Sequence, residues 1–288
     1  MASATPINVL LTRPRGRLFV LPREHGAWGM LLVPLVTGAA AGNPGGERMI
    51  WILLFAAAAL GLFCLRTPME AALGISPLRP QNDGERKLIH SFILIYASVA
   101  VLALAILMQW ARAYGLLLMG AAAAPAFLLP AVLKQLGRAT RMTAQLTGAV
   151  ALSSTSAGAY YLATGHFGMT AAIVWLANWL FAANQIHFVQ MRLHTARATT
   201  PREKIRAGKT FLLHQTFCLL LLALMWRAGW IPGLILMAFG PLFFRGFEWF
   251  LESPRPLRVR RLGVNELVYA IVFGIIFIAG YHPQFGWR

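Results

Sequence analysis

The sequence predicts an all-α membrane protein, a bundle of nine transmembrane helices with its N-terminus inside and its C-terminus outside. Three observations carry that expectation. The composition is 58% hydrophobic and only 12% charged, whereas about a quarter of the residues of a soluble domain are charged. The apolar residues fall into recurring runs, several of which reach the roughly 20 residues needed to cross the hydrocarbon core. The basic residues gather in alternate connections between those runs, and Lys and Arg are retained on the cytoplasmic face during insertion.

Taken in order, an N-terminal segment, 1–21, is basic and cytoplasmic, through Arg13, Arg15 and Arg17, with Arg23 just beyond it. It has no apolar stretch long enough for a cleavable signal peptide, so the first span, 27–41, is expected to direct insertion itself. Pro22 favours a helix start there, and Glu24 complements the helix dipole. The turn Asn43-Pro44-Gly45-Gly46 leads outside the membrane to a second span at 49–65. Both spans are short, and tilt little or begin at the interface. Arg66, Arg79, Arg86 and Lys87 mark the next inner connection, before the third span at 88–109 and the fourth at 114–133. Lys134, Arg138 and Arg141 follow, then the fifth span at 142–162 and the sixth at 167–191. Arg192, Arg197, Arg202, Lys204, Arg206 and Lys209 precede the seventh at 210–226 and the eighth at 229–250. Arg245, Arg255, Arg258, Arg260 and Arg261 are assigned to the connection before the ninth, 264–281. On this count 22 of the 26 basic residues share one side, and Arg48, Arg112, Arg227 and Arg288 lie on the other. Residues 22–288 form a single transmembrane domain. Its inner stretches 66–87, 192–209 and 252–263 are long enough to carry function.

A net charge of +17 raises the question of nucleic acid. The cations are interhelical and one-sided and no nucleic-acid motif accompanies them, so topology and attraction to anionic lipid account for them. Cys64 and Cys218 lie within or at the ends of spans, without metal-like spacing, and read as buried free thiols. No metal site is predicted.

Polar groups near the ends of spans are expensive to expose to lipid, which makes them the candidates for a site. Those at the cytoplasmic side are Arg23, Glu24, His25 and Trp28 at the first span, Arg66 and Glu70 after the second, and Lys87 and His90 at the third. Asn184, His187, Gln190, Arg192 and His194 end the sixth; His214 and Gln215 start the seventh, and Asn265 and Glu266 the ninth. At 100° per residue Asn184, His187, Met191 and His194 fall on one face, with Gln190 at its margin. A lone polar residue there would serve as helix-packing glue; four on one stripe suit a wet cavity. His25, Arg66, Glu70, Asn184, His187 and Arg192 are expected to converge on a cavity open to the cytoplasm.

The string Pro-Arg-Glu-His-Gly-Ala-Trp-Gly-Met-Leu-Leu-Val-Pro-Leu, residues 22–35, resembles the opening of the YwiC-like family of bacterial membrane proteins, and Asn184–His194 and Leu262-Gly263-Val264-Asn265-Glu266 support the match. The resemblance places the chain in the bacterial inner membrane. By topology, with long cytoplasmic loops after the second and sixth spans, the chain is also similar to the UbiA superfamily of intramembrane prenyltransferases. Those enzymes hold Mg²⁺ on Asp-rich motifs in these loops. Here the corresponding stretches read Leu65-Arg66-Thr67-Pro68-Met69-Glu70 and Asn184 to Arg192, and the only aspartate is Asp83. Mg²⁺ needs hard oxygen ligands, so that metal chemistry is not expected.

The functional expectation is a membrane protein that acts on or binds an isoprenoid, quinone or lipid, its phosphate affinity supplied by guanidinium groups such as Arg66 and Arg192. If it is catalytic, a metal-independent prenyl- or lipid-transferase is implied; no catalytic residue and no cofactor is assigned. The alternatives are a non-catalytic binder or assembly partner of a respiratory complex, then a haem- or metal-binding protein using His25, His90, His187, His194 and His214, then a transporter.

Overall fold

The computed structural model describes residues 21–22, 25–76, 80–135, 140–195, 200–252 and 257–281. They form ten α-helices and, among the described residues, no strand: α1 (His25–Gly42), α2 (Gly46–Ala72), α3 (Asp83–Gln109), α4 (Gly115–Gln135), α5 (Arg141–Thr164), α6 (Met169–His194), α7 (Pro201–Arg227), α8 (Gly233–Ala238), α9 (Gly240–Leu251) and α10 (Val259–Tyr281). Among the described residues six stretches are long and apolar enough to cross a membrane, namely α2, α3, α6, α7 from Arg202, α8 with α9, and α10. Gly26–Gly42 and Gly115–Pro130 are shorter apolar helices. The chain is a multi-pass membrane protein.

Each apolar run has its helix, with two differences from the sequence-based expectation. The eighth span is two helices, because Pro241 sits at the start of α9 and has no N–H to continue the ladder from α8. The helices also overrun the apolar runs at the basic end. α3 begins at Asp83, where Asn82 Oδ1 accepts from Glu85 N–H at 2.7 Å. α7 begins at Pro201 on a capping box, with the Thr200 hydroxyl and the Glu203 carboxylate each satisfying the other's backbone N–H. Most of 192–209 is therefore helix rather than loop.

Two apolar cores divide the molecule. One joins Leu31, Phe55, Phe63, Leu107, Leu116 and Leu162 from α1 to α5, and the other joins Val174, Leu180, Leu222, Ile235, Phe273 and Phe277 from α6 to α10. The halves meet where α5 packs on α6 and α1 packs on α10. α1 approaches α5 closely: a Cβ at Gly38 would collide with the Ser156 backbone and one at Gly42 with Ala163. Small residues let helix backbones meet in lipid, where dispersion rather than water exclusion drives association. The hydroxyls of α5 are satisfied within it: Ser153, Ser154 and Ser156 each donate to a carbonyl three or four residues back at 2.7 Å. A second polar link runs from Thr37 of α1 to Asn178 Oδ1 of α6 at 3.2 Å. Leu94, Leu102, Leu118, Leu220 and Leu224 are exposed on outer faces, the surface that lipid covers.

Candidate functional site

A gap lies at the basic end of the bundle, beyond the break at Gly240-Pro241. α10 packs closely on α8 but only loosely on α9, and between the basic ends of α6, α9 and α10 lies a pocket of about 420 Å³. Its wall holds Phe188, Arg192, Arg245, Glu248, Trp249, Glu252, Leu257, Arg258, Arg261, Leu262, Asn265, Glu266 and Tyr269. Arg258, Arg261, Glu248 and Asn265 are exposed and form its rim.

Its floor is a buried ion pair. Arg245 of α9 is 6% exposed and Glu266 of α10 is 4% exposed, and Arg245 Nη1 donates to Glu266 Oε1. The charge pattern of the sequence assigns Arg245 to a connection; it lies inside α9, and the counter-charge on α10 is what makes its burial tolerable. The rings of Phe188 and Tyr269 lie 4.0 and 4.6 Å from the Arg245 guanidinium carbon, so in-plane N–H groups remain its route to other partners. Nε and Nη2 have no hydrogen-bond partner among the described residues, and neither has Glu266 Oε2. Three buried polar atoms without partners on one pocket floor are unusual, because each costs the desolvation of an unmade hydrogen bond.

The surroundings hold this floor in place. Gln185 of α6 donates to the Glu266 carbonyl at 2.7 Å. Lys204, 4% exposed, donates from α7 to the carbonyls of Trp249 and Glu252 at 3.0 and 2.5 Å and stands 4.9 Å from the Trp249 ring centroid. A cation on the last carbonyls of α9 completes its C-terminus. Hydropathy alone leaves Lys204 in a loop; the Thr200 capping box brings it into α7 instead.

Of the polar groups that the sequence singles out, Asn265, Glu266 and Arg192 stand in this wall, Arg192 5.9 Å from the ring centres of both Phe188 and Trp249. The others stand elsewhere. The Asn184–His187 face exists as expected, but it faces α7: Asn184, 1% exposed, donates to Gln215 Oε1 at 3.4 Å, and the His187 ring stacks on His214 at 3.9 Å. Cys218 Sγ lies 3.4 Å from His214 Nε2. Gln190 turns to α5 and donates to Gln145 at 2.7 Å, and His194 is exposed, bonded to the Gln190 carbonyl. Arg66 and Glu70 pair with each other along α2 at 2.9 Å. Lys87 and His90 are exposed on α3, His90 bonded to the Arg86 carbonyl. Trp28 donates to the Pro22 carbonyl at 3.3 Å and packs edge-on against Phe63. Arg23, Glu24 and the side chain of His25 lie outside the described residues. Cys64 and Cys218 are free and buried. Among the described residues no group of three or more His, Cys, Asp or Glu side chains is placed to hold a metal ion.

Arg245 and Glu266 are within reach of sequence reasoning. An arginine inside one expected span and a glutamate inside the next are each costly alone, and together they announce a partner across the helices.

Residues 21–160 match the family model described as YwiC-like protein. Over that stretch the chain is similar to the YwiC-like family. The match spans α1 to α4 and nearly all of α5, so the Arg245–Glu266 pocket lies beyond the YwiC-like stretch. No curated protein and no solved structure matches the chain.

Proposed function

We propose that this protein binds the polar head of a membrane amphiphile, an isoprenoid, quinone or lipid, in the pocket between α6, α9 and α10. The observation that carries the reading is the Arg245 guanidinium, buried within a span, with Nε and Nη2 unpartnered on the pocket floor. An arginine so placed is a charge-assisted fork for an oxyanion, and Arg192, Arg258 and Arg261 add cationic character around it. The 420 Å³ of space suits a head group rather than a whole lipid, leaving the apolar tail to lie against exposed Phe244 and Val268 of α9 and α10.

With the basic ends of the helices on the cytoplasmic side, as the charge asymmetry requires, the head enters from the inner leaflet of a bacterial inner membrane. A nine-span UbiA-like course, N-in and C-out, fits this arrangement, with α8 and α9 counted as one crossing. The cations supply what Mg²⁺ supplies in that superfamily.

The test is native mass spectrometry of the full-length protein extracted with its own membrane. The wild-type protein is expected to retain an amphiphile that Arg192→Gln holds about tenfold or more weakly, the value of a lost hydrogen bond to a charged group. Equal retention by the two proteins would remove the reading.

A further inference from the structure

The pocket floor leaves both a donor pair and an acceptor unmet, and this fixes more than the charge of the ligand. Glu266 Oε1 engages Arg245 at Nη1 only, so the guanidinium edge made by Nε and Nη2 keeps its two parallel donors. Two parallel N–H groups match two oxygens of one phosphate or carboxylate. Beside them Glu266 Oε2 is a buried carboxylate oxygen that can only accept. A ligand that brought an oxyanion alone would leave this oxygen unsatisfied.

The charges of the wall point the same way. Four arginines, Arg192, Arg245, Arg258 and Arg261, are interleaved with the carboxylates Glu248, Glu252 and Glu266. A head carrying several negative charges and no positive one meets three carboxylates at close quarters. A trimethylated ammonium would need an open aromatic cage, yet Arg192 and Arg245 lie against Phe188, Arg245 against Tyr269, and Arg192 and Lys204 against Trp249. A primary ammonium, with three N–H donors, fits the free carboxylate oxygen.

We infer that the pocket selects a zwitterionic head, an oxyanion on the Nε and Nη2 edge of Arg245 joined to an ammonium donor on Glu266, as in an ethanolamine phospholipid. This rests on the amphiphile reading above and narrows it to one class of head.

The probes are phosphatidylethanolamine and phosphatidylcholine with identical acyl chains, titrated separately into delipidated full-length protein and followed by native mass spectrometry. The phosphates and tails are the same, and the ammonium carries three N–H donors in one lipid and three methyl groups in the other. The ethanolamine lipid is expected to bind about tenfold or more tightly, because the choline head leaves Glu266 Oε2 unpaired. Arg192→Gln should weaken both lipids by a similar factor and leave the preference intact. The Arg245→Met, Glu266→Leu double variant should lose the preference. Equal binding of the two lipids by the wild-type protein would overturn the zwitterion inference while the amphiphile pocket stands. Binding of neither would also overturn it, with the pocket itself judged separately by retention of the native amphiphile in Arg192→Gln.

Discussion

Arg245 and Glu266 can be separated from the fold by a double-variant cycle, because a buried ion pair is worth little as a pair and much as a broken one. At hydrogen-bond contact, roughly 3 Å, and an effective dielectric of about 20, the attraction between the two charges is about 5–6 kcal/mol. Burying each ion costs several kcal/mol, and both are nearly inaccessible here. The Phe188 and Tyr269 rings lie against the guanidinium and favour it, while the three unpartnered atoms of the pair oppose its burial. Buried ion pairs of this kind are typically no better for folding than apolar residues of the same volume. Arg245→Met strands a carboxylate and Glu266→Leu strands a guanidinium, and each is expected to cost roughly 3–5 kcal/mol. For a chain of this size that is a fall in Tm of roughly 6–20 °C, read by thermal unfolding in one detergent. The double variant, with two apolar side chains in the same space, is expected to melt within a few degrees of the wild type. Its amphiphile binding should nonetheless be lost. A double variant destabilised by the sum of the two single changes would refute the reasoning, since the pair would then be a net structural element and its unpaired atoms incidental.

Three further outcomes are expected. Gly38→Leu should lower Tm markedly, by roughly 1–3 kcal/mol or more of overpacking, because its Cβ would meet Ser156 backbone and not a movable side chain; an unchanged Tm would show that α1 and α5 are not held this closely. Lys204→Met removes two bonds to the end of α9, and hydrogen exchange should quicken in 246–252 while α2 and α3 stay protected; uniform exchange would contradict a local clasp. For topology, single cysteines near 45, 112, 165 and 228 should react with an impermeant reagent from outside, and those near 80, 138, 200 and 257 should not; labelling near 200 from outside would invert the proposed orientation.

The sequence by itself determined the class of molecule. Lipid offers no hydrogen bonds, so long apolar runs in this composition have to become helices, and their positions are legible directly. It also holds the local signals for helix ends. Asn82 and Glu85, and Thr200 and Glu203, are short-range caps; hydropathy does not reveal them, because it measures where lipid is and not where the backbone stops being helical. The face shared by Asn184 and His187 is legible too, since it follows from the 100° step.

What that face meets is not legible. Asn184 finds Gln215, and His187 finds His214, because α7 packs there, and no periodicity within α6 contains that choice. The same holds for Arg66, whose partner is Glu70, one turn away on its own helix, rather than a group across a cavity. The pocket depended on tertiary structure alone. Its floor joins Arg245 of α9 to Glu266 of α10, helices that otherwise pack only loosely on each other. Sequence supplies Arg245 and Glu266 on separate helices, but only packing makes them a pair with one guanidinium edge unmet.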